Sequence, residues 1–277
     1  MCGIAGIHNT KVNTEELKNI ANNTIDLLHH RGPDDNGYKI LTQVNSNKTL
    51  FVHTRLSIVD LSSAGKQPMT DTSEDYWITF NGEIYNFLEI KKKLLGLGIK
   101  FKSNSDTEVI LESYKIWGLK AFEEFIGMWS LAIWDKKKDE LLLSRDRLGI
   151  KPLYYAIHNE SIIFASEPKA IINLLPGKRQ LNPNALTDYF SFRQVLGEET
   201  FFSDVFSLEP GNHLIIKDGK IKKIQYWDLP IVDVKNDFSE EELKDELDEL
   251  LSSSVKYRMI SDVPLGAFLS GGVDSPL

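Results

Sequence analysis

Met128-Trp-Ser-Leu-Ala-Ile-Trp134, followed by Asp135-Lys-Lys-Lys-Asp139 and then Glu140-Leu-Leu-Leu-Ser-Arg145, is the stretch that decides the fold class. An apolar, aromatic run, a charged turn and a second apolar run predict a β-hairpin. The pattern repeats on either side. Residues 153–157 and 161–165 form a second such pair, and 211–217 and 220–226 flank Asp218-Gly219, the strongest short hairpin signal in the chain. Upstream, 37–41, 49–53 and 76–80 read as strands between loops of Asn, Ser, Gly and Pro. Cys2 to Ile7 is short and apolar, as a buried strand is. Strands outnumber helices, and hairpins dominate, so the chain is predicted to be α+β with antiparallel sheets.

Helical spacing appears in fewer places. Leu17, Ile20, Ala21, Thr24, Ile25 and Leu28 share one face, with Asn13 and Glu16 as a capping box, and Arg31-Gly32-Pro33 ends that helix. Residues 87–97 and 107–117 read as two more helices. The last part differs in character. A polar connector at 231–238 leads to a second capping box, Ser239 with Glu242, and to a helix carrying Leu243, Leu247, Leu250 and Leu251 on one face. An apolar strand at 263–269 then runs into Ser270-Gly-Gly-Val-Asp-Ser275. The expected organisation is a main unit at 1–205, a connecting β-hairpin at 206–229, a linker at 230–238, and the start of a further unit at 239–277.

With 42% hydrophobic and 26% charged residues, the 277-residue chain lies in the globular range, which excludes disorder, collagen-like repeats and coiled coil. Forty acidic against 32 basic residues give a net charge of −8, a poor surface for nucleic acid or an anionic membrane. One cysteine excludes an intrachain disulfide and fits a reducing compartment. No apolar run approaches a membrane span, and the opening residues lack the pattern of a signal peptide. A cytoplasmic protein is expected.

Several residues could carry chemistry. If Met1 is removed, Cys2 places a thiol nucleophile and an α-amine, with an ordinary pKa of roughly 7.7–8.0, on one residue; the alternative is a small core cysteine. Asn81-Gly82-Glu83 follows a strand, where an amide and a glycine N–H can hold an oxyanion, or simply make a turn. Arg55 could grip a carboxylate or make a surface ion pair. Asp106 could bind an amine or cap a helix. The six histidines show no metal-ligand spacing. Ser270 to Ser275 is not a Walker A loop, yet glycines after a strand with hydroxyls on both sides suit a phosphate cradle.

Together these pieces point to one family. Met-Cys-Gly-Ile-Ala-Gly resembles the start of the class II glutamine amidotransferases. Arg31-Gly-Pro-Asp-Asp35, His53-Thr-Arg-Leu-Ser-Ile-Val-Asp60, Phe80-Asn-Gly-Glu-Ile-Tyr-Asn86 and Ser105-Asp-Thr-Glu108 follow in the order of the glutamine-hydrolysing asparagine synthetases. So do Ser144-Arg-Asp-Arg-Leu-Gly-Ile-Lys-Pro-Leu-Tyr154, Phe164-Ala-Ser-Glu-Pro-Lys169 and Asp262-Val-Pro-Leu-Gly266.

The resemblance implies an N-terminal-nucleophile hydrolase fold, an α/β/β/α sandwich of two antiparallel sheets. The first helix and strand of an α/β pyrophosphate-loop ATPase domain would follow. It implies Cys2 as nucleophile with its α-amine as base, and Asn81 and Gly82 as the oxyanion hole. Glutamine would be held by Arg55 at its α-carboxylate and by Glu83 and Asp106 at its α-amino group, with Leu56, Ser57, Ile58 and Val59 lining the pocket. ATP would meet Leu269, Ser270, Gly271, Gly272, Val273, Asp274 and Ser275, with Mg²⁺ expected but no ligand for it nameable. The implied substrates are glutamine, aspartate and ATP, with no nucleic acid or membrane partner, and the family often forms homodimers.

Nearly all of the synthetase domain would lie beyond Leu277. This chain alone is therefore expected to keep at most the glutaminase half-reaction. Amidotransferases of the same plan with another carboxylate acceptor, such as a surface-polysaccharide sugar or a β-lactam precursor, share these motifs. A non-catalytic truncated paralogue is the remaining alternative.

Overall fold

Leu141, Leu142 and Leu143 are all buried. A strand turns successive side chains to opposite faces, so the strand that carries them must be covered on both sides. The computed structural model, which describes residues 1–43, 45–175, 177–231 and 238–272, shows what covers it. The elements run β1 (Gly3–Thr10), α1 (Thr14–Leu28), β2 (Asp35–Thr42), β3 (Lys48–Arg55), β4 (Met69–Thr70), β5 (Tyr76–Ile84), α2 (Phe87–Gly96), α3 (Asp106–Trp117) and α4 (Ala121–Glu124). There follow β6 (Gly127–Asp135), β7 (Glu140–Arg145), β8 (Tyr154–His158), β9 (Ser161–Ala165), α5 (Pro168–Leu174), α6 (Pro183–Phe192), β10 (Phe206–Ser207), β11 (Asn212–Lys217), β12 (Lys220–Gln225) and α7 (Glu240–Arg258).

The strands form two six-stranded sheets, ordered β10-β8-β9-β1-β3-β2 and β12-β11-β7-β6-β5-β4, with antiparallel pairing between neighbours. Their inner faces meet in one apolar layer that includes Ile4, Phe51, Trp77, Trp134, Leu141, Leu143 and Phe164. Leu142, one residue out of phase, joins the opposite layer, where Ile78, Leu131 and Ile133 pack against Ile90 and Leu94 of α2 and Val109 of α3. Across the first sheet, Leu17, Ala21 and Leu28 of α1 and Ala170 and Ile171 of α5 cover Leu50, Val52 and Ile163. The result is the expected α/β/β/α sandwich.

Two polar contacts join the sheets at their centre. His53 Nε2 bonds Phe80 O at 3.1 Å, and Thr79 Oγ1 donates to Val52 O at 3.3 Å. Burial drives the His53 pKa down to about 4, so the ring is neutral near pH 7 and can sit in that layer without a counter-ion.

Four expectations need correction. Asn81, Gly82 and Glu83 do not follow the strand; they lie within β5, paired with Ser130, Trp129 and Met128. The hairpin at 206–229 does not stand between units: β10 joins the first sheet, and β11 and β12 extend the second. Residues 263–269 form no strand, because a strand needs a neighbour to take its N–H and C=O groups and none lies alongside among the described residues. The α7 capping box is present, yet Leu243, Leu247, Leu250 and Leu251 are all exposed rather than packed. Helices α5 and α6 are additions that strand-centred reading passes over. Most of the linker expected at 230–238 lies outside the described residues.

Candidate active site

The β1–β3 ladder pairs Gly3 with Thr54, which sets Cys2, just before β1, beside Arg55, the last residue of β3. From the second sheet, the end of β5 brings Asn81, Gly82 and Glu83 to the same place, and α3 brings Asp106 at its first turn. These residues line one cleft with Leu56, Ile58, Val59, Gly65, Gln67, Thr107 and Lys151. Its enclosed volume is about 70 Å³, so it takes a small molecule and not a macromolecule.

The Cys2 backbone is fixed from below. Arg31 Nε donates to Cys2 O at 2.9 Å, and Arg31 Nη1 is held by Glu167 at 3.0 Å, which also bonds His30 at 2.9 Å. Burial alone would raise the Glu167 pKa, but hydrogen bonds from Arg31, His30 and Lys169 bring it down to about 2. The Cys2 thiol faces Leu56: its Sγ accepts from Leu56 N–H at 3.4 Å and lies 3.6 Å from Leu56 O. Burial pushes the thiol pKa up, and the Leu56 N–H only partly offsets this. The resting group is therefore a thiol that needs a base before it can attack. Burial lowers the pKa of the chain's α-amine, here on Met1, which favours an unprotonated amine beside the sulfur.

Arg55 is buried, and its guanidinium donates to the backbone carbonyls of Ser62 (3.1 Å), Val59 (3.4 Å) and Asp60. These acceptors orient the group without neutralising it, so its charge remains available to a carboxylate in the cleft. Gly65 permits the arrangement, since a Cβ there would come within 2.2 Å of Arg55 Nη2. The surface ion-pair reading of Arg55 does not hold.

On the opposite wall, Ser105 rather than Asp106 caps α3, accepting from Thr107 N–H at 3.1 Å. Asp106 is left free to accept from Ile84 N–H at 3.0 Å, which ties α3 to β5. Burial raises the Asp106 pKa to about 6, and burial with the neighbouring Asp106 raises Glu83 to about 7. Two carboxylates that each destabilise the other's charge make a site that favours a cation.

Asn81 is buried, with Nδ2 reaching Ser130 Oγ at 3.4 Å, and its second amide hydrogen is not needed by that bond. A Cβ at position 82 would lie 2.2 Å from Met128 O, so glycine is what lets β5 run this close to β6. The plain-turn reading of Asn-Gly is excluded by its place in the ladder.

Ser57 does not line the cleft; its N–H turns away to Asp34 Oδ2 at 2.7 Å. Three contributors were not singled out from sequence. Gln67 accepts from Phe80 N–H at 2.7 Å and donates to Thr107 Oγ1 at 3.2 Å, joining the two sides of the second wall. Lys151 is buried at the cleft, its pKa lowered by that burial. Arg31 orients Cys2. Lys151 and Arg31 sit in quoted motifs; Gln67, in a loop, had no signal.

Elsewhere, Leu269, Ser270, Gly271 and Gly272 are exposed and irregular, and Val273, Asp274 and Ser275 lie outside the described residues. Gly272 N–H is taken by Ser270 Oγ at 3.3 Å, and a Cβ added at Gly271 would meet nothing within 4 Å among the described residues. The described part of the turn does not by itself form a nucleotide site. No group of His, Cys, Asp or Glu able to hold a metal occurs among the described residues. No helix among them is long and apolar enough to cross a membrane.

The glutamine amidotransferase domain family matches residues 1–227, the portion that builds both sheets and the cleft. The chain belongs to that family. Residues 246–277 match the asparagine synthase family. The chain is similar to a putative glutamine-hydrolyzing asparagine synthetase of Methanocaldococcus jannaschii, 40% identical over 99% of this chain and 55% of that protein. It is also similar to glutamine-hydrolyzing asparagine synthetase 1 of Bacillus subtilis strain 168, 36% identical over 99% of this chain and 43% of that protein. The chain thus spans about half the length of the curated relatives it matches. A solved glutamine phosphoribosylpyrophosphate amidotransferase from B. subtilis superposes with a TM-score of 0.58 over 82% of this chain and 49% of its own, at 18% identity, which shows the fold alone.

Proposed function

We propose that the cleft hydrolyses glutamine, with Cys2 as nucleophile once Met1 has been removed. One observation carries this reading. A thiol, an unneutralised guanidinium, a pair of carboxylates and an Asn-Gly pair, drawn from two sheets and a helix, converge on one cleft. Arg55 takes the α-carboxylate, and Glu83 and Asp106 take the α-ammonium, which leaves the side-chain amide facing Cys2.

The α-amine of Cys2 accepts the thiol proton as sulfur attacks the amide carbon. The resulting oxyanion is held by Asn81 Nδ2 and Gly82 N–H, donors already in place before reaction. As the C–N bond breaks, the ammonium proton passes to the leaving nitrogen and ammonia departs, leaving a γ-glutamyl thioester. Water, activated by the same amine, cleaves it to glutamate.

The match at 246–277 and the names of the relatives support a further reading: the ammonia serves ATP-dependent amidation of aspartate to asparagine. On that reading the glutaminase unit includes the 206–229 hairpin, and 239–277 opens the synthetase unit. A reducing compartment such as the cytoplasm suits a protein that depends on one free thiol.

The test is glutamate release from glutamine by Met1-free protein beside Cys2→Ala. Turnover that the variant abolishes supports the reading. Equal turnover by both, or none from folded Met1-free protein, overturns it.

A further inference from the structure

Asp60 has φ of 54°, the left-handed region that a residue with a Cβ rarely adopts. Its polar groups are all engaged. The carbonyl accepts from Arg55, Oδ1 accepts from Ser62 N–H at 3.1 Å, and Oδ2 accepts from Asn104 N–H at 2.8 Å. Its own N–H donates to Asp262 Oδ2 at 2.7 Å, from a residue 202 positions along the chain. Asp262 answers in the other direction, its N–H donating to Ile58 O at 2.9 Å.

The segment that carries Asp262 is itself seated beside the cleft. Tyr257 OH donates to Glu89 Oε1 at 2.7 Å, the Arg258 guanidinium lies 4.9 Å from the Tyr85 ring centre, and Ile260 packs against the helix-side core. Residues held in strained conformations persist only when their surroundings over-determine them. Here part of that determination comes from outside the loop.

We propose that Asp262 is a positioning residue for the cleft. By taking the Asp60 N–H and giving its own to Ile58, it keeps Asp60 left-handed, with its carbonyl aimed at Arg55. Arg55 is thereby kept turned toward the substrate carboxylate. The inference rests on the cleft being the glutamine site. Without the clip, Asp60 relaxes toward negative φ, its carbonyl swings away, and Arg55 loses an acceptor. Asn81 and Gly82 stand on β5 and Cys2 just ahead of β1; the loop residue that meets the Cys2 thiol, Leu56, follows directly on β3, ahead of the clipped Ile58–Asp60 stretch, so the effect falls on substrate binding and leaves the chemical step alone. Anything that draws the 260–263 segment away would weaken glutamine binding by the same route.

The test compares full-length wild type, Asp262→Ala and Asp262→Asn, by amide hydrogen exchange and by glutamine kinetics. Loss of one such bond predicts about tenfold faster exchange at Asp60 and about a tenfold higher KM for Asp262→Ala, with kcat unchanged. Exchange in β5 and β6 should not move. In Asp262→Asn the amide oxygen still accepts from Asp60, so both quantities should return to wild-type values. Unchanged exchange in Asp262→Ala, failure of Asn to restore it, or a fall in kcat in place of the KM change would each overturn the proposal. If wild type turns over no glutamine, the reading of the cleft fails, and the exchange arm still decides whether the clip holds the loop.

Discussion

Residues 3–10 and residues 263–272 are both short, largely apolar runs interrupted by glycine, and only the first is built into a sheet. In β1 the residues from Gly3 to His8 are buried, with β3 on one side and β9 on the other. In the later run Leu265, Phe268 and Leu269 are exposed, and no strand pairs with it among the described residues. A motif becomes a site only where neighbouring elements supply its ladder partners and its walls. The leucine face of α7 teaches the same lesson, since helical spacing and a complete cap make a helix but not a packed one.

The largest test of that contrast is in the core. Leu131→Ala should cost about 2–5 kcal/mol of unfolding free energy by denaturant titration, because Leu131 is fully buried between β6 and the helices. Next, Asn81→Ala should lower kcat for glutamine hydrolysis about 10²–10³-fold with KM little changed, as removal of an oxyanion donor does.

Asp106→Asn should weaken glutamine binding and also stabilise the folded chain. The Asp106 pKa is raised on folding, to about 6, so its charge disfavours the native state as pH rises through that value. The gain near pH 7.5 should be on the order of 1–3 kcal/mol, and it should vanish below about pH 3, where the carboxyl is neutral both folded and unfolded. Glutamine KM should in turn fall about tenfold from pH 5.5 to 7.5, as Asp106 and Glu83 ionise and can hold an ammonium. The smallest effect is expected in the other region: Leu247→Ala should change stability by less than about 0.5 kcal/mol, in contrast to Leu131→Ala.

Much of the sandwich was legible because its signals are local. The charged turn at 135–139 and Asp218-Gly219 each act within a few residues and appear as read; Asn13 does cap α1, but Glu16 bonds the Asn13 side-chain amide and not its backbone N–H, so the capping box is half formed. The helices at Pro168 and Pro183 were legible in principle, since each has proline at its first position and Asn182 caps the second. Their short apolar faces gave little periodicity to follow.

The cleft was legible where residues sit at strand and helix ends, as Cys2, Arg55 and Asp106 do. It was not legible where a loop folds back, as at Gln67, or where a contact spans most of the chain, as between Asp60 and Asp262. No short-range pattern encodes those distances.

The most direct test of Cys2 as nucleophile is mass spectrometry of acid-quenched protein during glutamine turnover, followed by proteolysis. Acylation of Cys2 predicts an N-terminal peptide that begins at Cys2 and carries one glutamyl group, absent without glutamine and absent in Cys2→Ala. Turnover with no adduct at Cys2 under any quench time, or an adduct on a peptide that retains Met1, would contradict it.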